Sequence, residues 1–453
     1  MVSRVFAAVD LGAASGRVVA GVVEGDRIDL REVHRFPNAA VERYGHLRWD
    51  LNALYGQVLA GLARIRDAES VSIDTWGVDY GLLDADGRLL AEPISYRDAR
   101  TAGVAERVHQ VVAVEDMYAI TGTQFLPFNT VYQLMAEQRG PLWSQASHAV
   151  MIPDLLAFWL TGRLCSEVTN ASTTGLLDIR SGAWSRHLLA ALALPERLLP
   201  DLEEPGSTRG VTETGAPVVT VGSHDTASAV VGVPATTEEF AYISCGTWSL
   251  VGLELDHPVL TPGAQKSNFT NELGVDGRIR FLRSVGGLWL LQECLREWGT
   301  EDLEGLLQAA ARRPRGGPLI DVTGQDLIPP DDMPSRISAA ALGPGSSMER
   351  PAIVRCILDS LASAYAEALE QACILTSKRI DVVHIVGGGS QNGLLCQLTA
   401  DATERPVLAG PAEATAFGNV AVQARSRGAL PESLEAIRAC IATQSPPRLF
   451  SPR

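Results

Sequence analysis

Two apolar runs, VFAAV at 5–9 and VVAGVV at 18–23, open the chain on either side of a polar turn, DLGAASGR. Runs this short, rich in β-branched residues and bounded by Gly and Ser, predict two strands joined by the turn, with a further extended segment at 29–36. The stretch DLNALYGQVLAGLARI instead has an apolar spacing that predicts an amphipathic helix with Asp50 as its N-cap. SVSIDTWGVDYGLLDADGRLL reads as strand, glycine kink, strand and a tight DADG turn, and helices are expected near 101–114, 129–139 and 153–160.

The grammar of the opening returns in EFAYISCGTWSLVGLEL at 239–255: apolar strand, polar turn with glycine, apolar strand. Either the chain is a duplicated fold, each half starting with a hairpin whose turn faces a shared cleft, or the two hairpins are unrelated. The short polar connection VPATTEE at 233–239 is the expected boundary, giving domains 1–234 and 235–453. ARRPRGGPLIDVTGQDLIPPDDMPSR is punctuated by Pro and Gly and is expected to be a surface excursion or lid. A long helix at 350–372, a buried strand at 380–386 and the run Gly387-Gly388-Gly389 follow, and the end of the chain is mostly helical.

Composition narrows the partners. At 453 residues the chain is too long for one comfortable core, and a formal net charge of -15 argues against nucleic acid or an anionic membrane as the main partner. Its seven cysteines are scattered and never form a CxxC pair, which fits a reducing compartment better than a disulfide framework or a zinc site. The first residues lack an unbroken apolar stretch, since Asp10 and Arg17 interrupt it, and no membrane-length apolar run occurs. A cytoplasmic location is the expectation by elimination.

A carboxylate at the tip of an apolar strand needs a reason. The small residues after Asp10 let backbone N–H groups approach an anion closely, and Ser15 and Arg17 add donors. Asp10 would repel that anion unless a divalent cation lay between them, so the combination points to a Mg²⁺–nucleotide phosphate tail. An ordinary glycine hairpin with a capping acid would use the same residues. In VVTVGSHDTASAVVGV, Asp225 sits at the mouth of a strand–turn–helix beside His224, where it is either an N-cap or a general base for a hydroxyl. Gly388 lies in a glycine patch where a ring or a phosphate can rest on the backbone, although neither a Rossmann fingerprint nor a P-loop is present. Thr247 falls on the turn of the second hairpin, and in DTWGVDY Gly77 allows a sugar near the backbone while Trp76 is either core or a stacking face.

In this order, VDLGAASGRV, IDTWGVDYGLLD, FLPFNTVYQL, SHDTASAVVGVP, SCGTWSLVG, GLWLLQE, HIVGGGSQNGLLCQL and FGNVAVQ resemble the FGGY carbohydrate kinases across nearly the whole chain. That resemblance implies an α/β fold of two actin-like, ribonuclease-H-like domains with an interdomain catalytic cleft, and phosphoryl transfer from ATP to a ketose. It implies Asp225 as the proton acceptor and Gly77, His224, Asp225 and Thr226 as sugar-binding residues. Ala13, Ala14, Ser15, Gly16, Arg17, Thr247, Gln292 and Gly388 match nucleotide-binding positions, and Asp10, on the chemical argument above, faces Mg²⁺. Two departures are visible: Ser284 stands where the family commonly has Asn, and AASGR replaces ASSGR. A silent sugar or ATP sensor on the same scaffold is the rival reading, and the intact Asp10 and Asp225 count against it. An actin-like filament or chaperone ATPase is a third reading, which expects ATP hydrolysis without sugar.

Overall fold

The computed structural model describes residues 3–453. By contacts the chain divides into two units, one of Met1–Thr236, Glu254–Phe281 and Ala414–Gln444, the other of Thr237–Leu253, Leu282–Glu413 and Ser445–Arg453.

The first unit is built on a mixed six-stranded sheet in the order Arg27–Pro37, Ser15–Glu24, Arg4–Leu11, Ser70–Thr75, Pro217–Val219, Thr208–Val211. Arg4–Leu11 pairs antiparallel with Ser15–Glu24 and parallel with Ser70–Thr75. A strand flanked on both sides must be apolar on both faces, and Phe6, Ala7, Ala8 and Val9 are accordingly sealed from solvent. The helices Ala414–Ser426 and Leu434–Gln444 cover one face, where Val420, Ala421, Ile437 and Ile441 meet Phe6, Ala8 and Val19. The expected helix after Asp50 runs Leu51–Leu62, and the Asp50 carboxylate accepts from Ala53 N–H as its N-cap. The expected kink at WGVDY is real but falls on Val78, whose φ is 68°.

The second unit repeats the plan. Its sheet runs Ile279–Gly286, Trp248–Leu255, Phe240–Cys245, Val382–Val386, Val407–Ala409, Arg448–Phe450, with Thr270–Leu273 as a seventh strand beyond Ile279–Gly286. Phe240–Cys245 pairs antiparallel with Trp248–Leu255 and parallel with Val382–Val386. Both hairpins therefore occupy the same place in the same strand order, which accounts for their shared sequence grammar. The long helix spans Arg350–Thr376. The Pro- and Gly-rich stretch is mostly exposed, as a surface excursion is, but Ile320, Val322 and Leu327 within it are buried. Apolar side chains at intervals pin it down despite its turn-forming composition. Among the described residues no helix is long and apolar enough to cross a membrane.

Candidate functional site

In the first unit the site grows from the ends of neighbouring strands. Asp10 is in register with Arg17 across the hairpin and with Asp74 on the parallel neighbour. Arg17 donates to Asp10 Oδ2 from Nε at 2.9 Å and from a terminal nitrogen at 2.6 Å, with both side chains largely buried. Arg17, one of the two side-chain donors expected to meet a ligand, thus holds the acid instead. Both bonds fall on one oxygen, so Asp10 keeps Oδ1 for a ligand. The tip itself is closed by Gly12 N–H to Ser15 O at 2.9 Å and clamped by Asn38, which donates to Gly12 O and Ala14 O. Ala14 is exposed, with Ala13 and Ser15 half-buried beside it. Gly16 is not on the open turn: it lies in the strand, where an added Cβ would sit 2.3 Å from the Phe36 ring.

Asp74 is fully buried and was not singled out by the sequence. Its Oδ2 accepts from Asn419 at 2.5 Å, and its Oδ1 has no partner. Burial, then the charge of Asp10, hold its carboxyl well above the usual carboxylate range. Asn419 is held by Gln423, which also bonds Ala7 O and Ser70, so one helix braces the strand ends from below.

The turn Gly222–His224 is seated by Glu167, a buried carboxylate that accepts from Ser223 N–H at 3.0 Å and Ser223 Oγ at 2.7 Å. Thr75 N–H donates to Ser223 O, which draws His224 alongside the end of the Ser70–Thr75 strand. Asp225 is the first residue of the helix Asp225–Val231, with His224 at the N-cap position. The N-cap reading of Asp225 is thereby set aside. Its side chain remains 31% exposed, and desolvation together with the negative charge of Asp10 pushes its carboxyl up. Thr226 is buried and spends both its N–H and its hydroxyl on Asp225 Oδ1, at 2.6 and 3.2 Å. It supports the carboxylate from behind rather than lining open space.

Gly77 faces the same spot. A Cβ there would lie 3.2 Å from Thr173 Oγ1 and 3.5 Å from His224 Nε2, so the missing side chain leaves room beside the imidazole. Trp76 is core: its Nε1 donates to Asp79 at 3.0 Å and its ring packs on Trp49 at 4.5 Å. Asp79 also accepts from Trp49, Tyr96 N–H and Gln133, which fixes the floor under Gly77. Behind His224 stand two further buried residues, Glu272 and Arg280.

The second unit gathers Thr247, Gln292 and Gly388 around the tip of its own hairpin. Leu288 N–H and Trp289 N–H donate to Gly246 O and Thr247 O, at 3.0 and 3.2 Å, so the helix Trp289–Trp298 starts directly on the turn. Gln292 lies exposed on its first turn. The glycine run crosses the end of the preceding strand: a Cβ on Gly389 would meet Cys245 Sγ at 2.1 Å, whereas nothing lies within 4 Å of one on Gly388. Gly387 and Gly389 are required by packing, and Gly388 alone presents open backbone. Ser284 is half-buried in the strand Ile279–Gly286.

Sequence reasoning could not find Asp74, Asp79, Asn419, Glu272 or Arg280 as site residues. Asp74 and Asp79 flank a glycine already under suspicion, and that proximity was the only signal available. The other three approach from distant segments.

Comparisons with known proteins show the family to which the chain belongs. Residues 5–232 match the model of the FGGY family of carbohydrate kinases, N-terminal domain, and residues 241–427 match its C-terminal domain. The chain is 43% identical over 470 residues to a rhamnulokinase of Pectobacterium carotovorum, covering 100% of this chain and 94% of that protein. It is 44% identical over 430 residues to a rhamnulokinase of Klebsiella pneumoniae (92% and 88%), and 39% over 466 residues to one of Enterococcus faecalis (99% and 94%). Among solved structures, gluconate kinase from Lactobacillus acidophilus superposes with a TM-score of 0.80 at 16% identity, covering 100% of this chain and 94% of that one. Ligand-bound xylulose kinase from the same organism gives 0.81 at 17%, covering 99% and 94%. At such identities these two establish the fold alone.

Proposed function

Because the chain belongs to the FGGY family of carbohydrate kinases, a fold of two actin-like α/β domains, we propose that it transfers the γ-phosphoryl group of ATP to the C1 hydroxyl of L-rhamnulose. The products are L-rhamnulose 1-phosphate and ADP. The substrate reading rests on the rhamnulokinases that match essentially the full chain at 39–44% identity. The observation that carries the chemistry is the juxtaposition of Asp225, His224 Nε2 and the open face of Gly77 in one part of the first unit.

Asp225 accepts the C1 hydroxyl proton as the oxygen attacks phosphorus. Its raised proton affinity suits that task, since a stronger base takes the proton more readily. His224 Nε2 and the backbone at Gly77 hold the sugar, and Thr226 keeps the Asp225 carboxylate in one orientation. The amides of Ala13, Ala14 and Ser15, with Thr247, Gln292 and the backbone of Gly388, bind the nucleotide. Most of the acceleration then comes from positioning and charge neutralisation, as in phosphoryl transfer generally.

Mg²⁺ fits the donor set. Asp10 offers a carboxylate oxygen not engaged by Arg17, and the nearby buried Oδ1 of Asp74 lacks a partner. Among the described residues no three His, Cys, Asp or Glu side chains could hold a metal unaided. Mg²⁺ needs no such group, because it keeps several waters and binds through one or two carboxylates plus phosphate oxygens. When bound at Asp10 it supplies charge neutralisation for the phosphates.

The test is ADP release, followed by a coupled assay, with L-rhamnulose against L-fuculose and D-xylulose. L-rhamnulose is expected to give the highest kcat/KM. A higher value for another ketose would replace the substrate, and sugar-independent hydrolysis alone would replace the function.

A further inference from the structure

His224 is gripped from behind by a buried ion pair. Arg280, with no exposed surface, donates from its two terminal nitrogens to His224 Nδ1 at 3.3 and 3.4 Å. The same guanidinium donates from Nε and a terminal nitrogen to Leu273 O, at 3.1 and 3.0 Å, which fixes its plane. Glu272 Oε2 lies 3.0 Å from Arg280 and 3.2 Å from His224 Nδ1, balancing the buried charge. Glu272 and Arg280 sit on adjacent strands, Thr270–Leu273 and Ile279–Gly286, so the pair is held by a ladder rather than by a loop.

A guanidinium can only donate. Glu272 Oε2, although 3.2 Å from Nδ1, accepts no hydrogen bond, so Nδ1 presents its lone pair to Arg280 and the proton of the neutral ring sits on Nε2. That nitrogen faces the space beside Gly77 and lies 3.5 Å from Asp225 Oδ1. We propose that Arg280, held in place by Glu272, is a positioning residue that locks His224 in the Nε2–H tautomer, so that the imidazole donates a hydrogen bond to a sugar oxygen next to Asp225. This deepens the function proposed above and rests on it for the identity of the sugar, but the tautomer assignment does not.

Glu272 contributes through charge. Without it a lone guanidinium would be buried against an imidazole, a costly arrangement that the ring or the strand would relieve by moving. The division of labour is specific: Arg280 chooses which nitrogen carries the proton, and Glu272 makes the presence of Arg280 tolerable.

Two measurements test this. In ¹⁵N-histidine-labelled full-length protein without substrate, two-bond ¹⁵N–¹H correlations should report His224 as the Nε2–H tautomer, with assignment by the His224→Gln spectrum. An Nδ1–H pattern would overturn the proposal, whatever the substrate proves to be. Kinetically, Arg280→Met should lower kcat/KM for the ketose roughly ten- to a hundredfold while leaving KM for ATP unchanged. Arg280→Lys, which keeps a cationic donor, should recover part of that loss. Folding of each variant is checked by circular dichroism. If Arg280→Met does not fold, the decision passes to the wild-type spectrum and to Glu272→Gln, which should raise KM for the ketose and not for ATP. A folded Arg280→Met with wild-type ketose kinetics, or an equal rise in both KM values, would also overturn it. Failure of the function proposal looks different: the tautomer stands, and no ketose is phosphorylated.

Discussion

Gly418→Ala places one methyl group where two helices nearly touch. A Cβ on Gly418 would lie 1.8 Å from Ser228 O, 2.7 Å from its carbonyl carbon and 3.1 Å from Val231 Cβ. Both of the nearest atoms are backbone, so no side chain can swing away. The helix Ala414–Ser426 must separate from Asp225–Val231 by about 1 Å or more, an overpacking that costs about 1–3 kcal/mol. Asp225 opens the helix that moves, and a displacement near 1 Å of a reacting group lowers kcat about a hundredfold. Gly56→Ala is the matched control. It lies within Leu51–Leu62 with nothing within 4 Å of its added Cβ, and should stabilise by about 0.5–1 kcal/mol without touching kcat. Urea denaturation gives the stability and coupled ADP release gives the rate. A Gly418→Ala protein as stable and as active as wild type would refute the view that this close approach fixes the base.

Asp225→Asn should abolish turnover while nucleotide affinity, read by calorimetry, stays within a few-fold of wild type, because the amide keeps the shape but not the basicity. Gly388→Ala should fold normally yet raise KM for ATP, whereas Gly389→Ala should be destabilised by its clash with Cys245; urea midpoints and ATP titrations separate the two. Of seven thiols only Cys373 and Cys440 are partly exposed, and burial raises the proton affinity of both, so Ellman's reagent should find two slow sites in native protein, faster at higher pH, and seven after unfolding. Burial alone would raise the Glu272 carboxyl, but the net shift is downward, led by the charge of the adjacent Arg280 guanidinium. Its contribution to stability is therefore complete above the unfolded carboxylate range, near pH 4.3, and is lost as pH falls through the lower folded value. Glu272→Gln should flatten the thermal stability curve below about pH 4, and an unchanged acid slope would count against the pairing.

How much of this was written in the residue order can be judged from particular positions. The two hairpins, the capped helix after Asp50 and the apolar central strands rest on spacing, because burial on both faces of a strand or on one face of a helix leaves a period in the sequence. Asp10, Gly77, Asp225 and Gly388 were also legible, since a carboxylate ending an apolar run, or glycine at a strand end, is locally out of place. What the order could not disclose was the partner of each group. Arg17 and Ser15 look alike as donors in the turn, yet the ladder turns Arg17 onto Asp10. Trp76 is equally suited to stack on a sugar or to fill a core, and only the arrival of Trp49 and Asp79 settles which. Gly387, Gly388 and Gly389 are identical in sequence, but a neighbouring strand presses on two and leaves the middle one bare.

The sequence by itself determined the elements, their alternation and the few acids and glycines at strand ends, since those depend on neighbours along the chain. The tertiary structure decided which charges are matched: Asn419 reaches Asp74 from 345 residues away, and Arg280 reaches His224 from 56. Hydrogen bonds and ion pairs act over about 3 Å, and only folding brings such remote residues within that range.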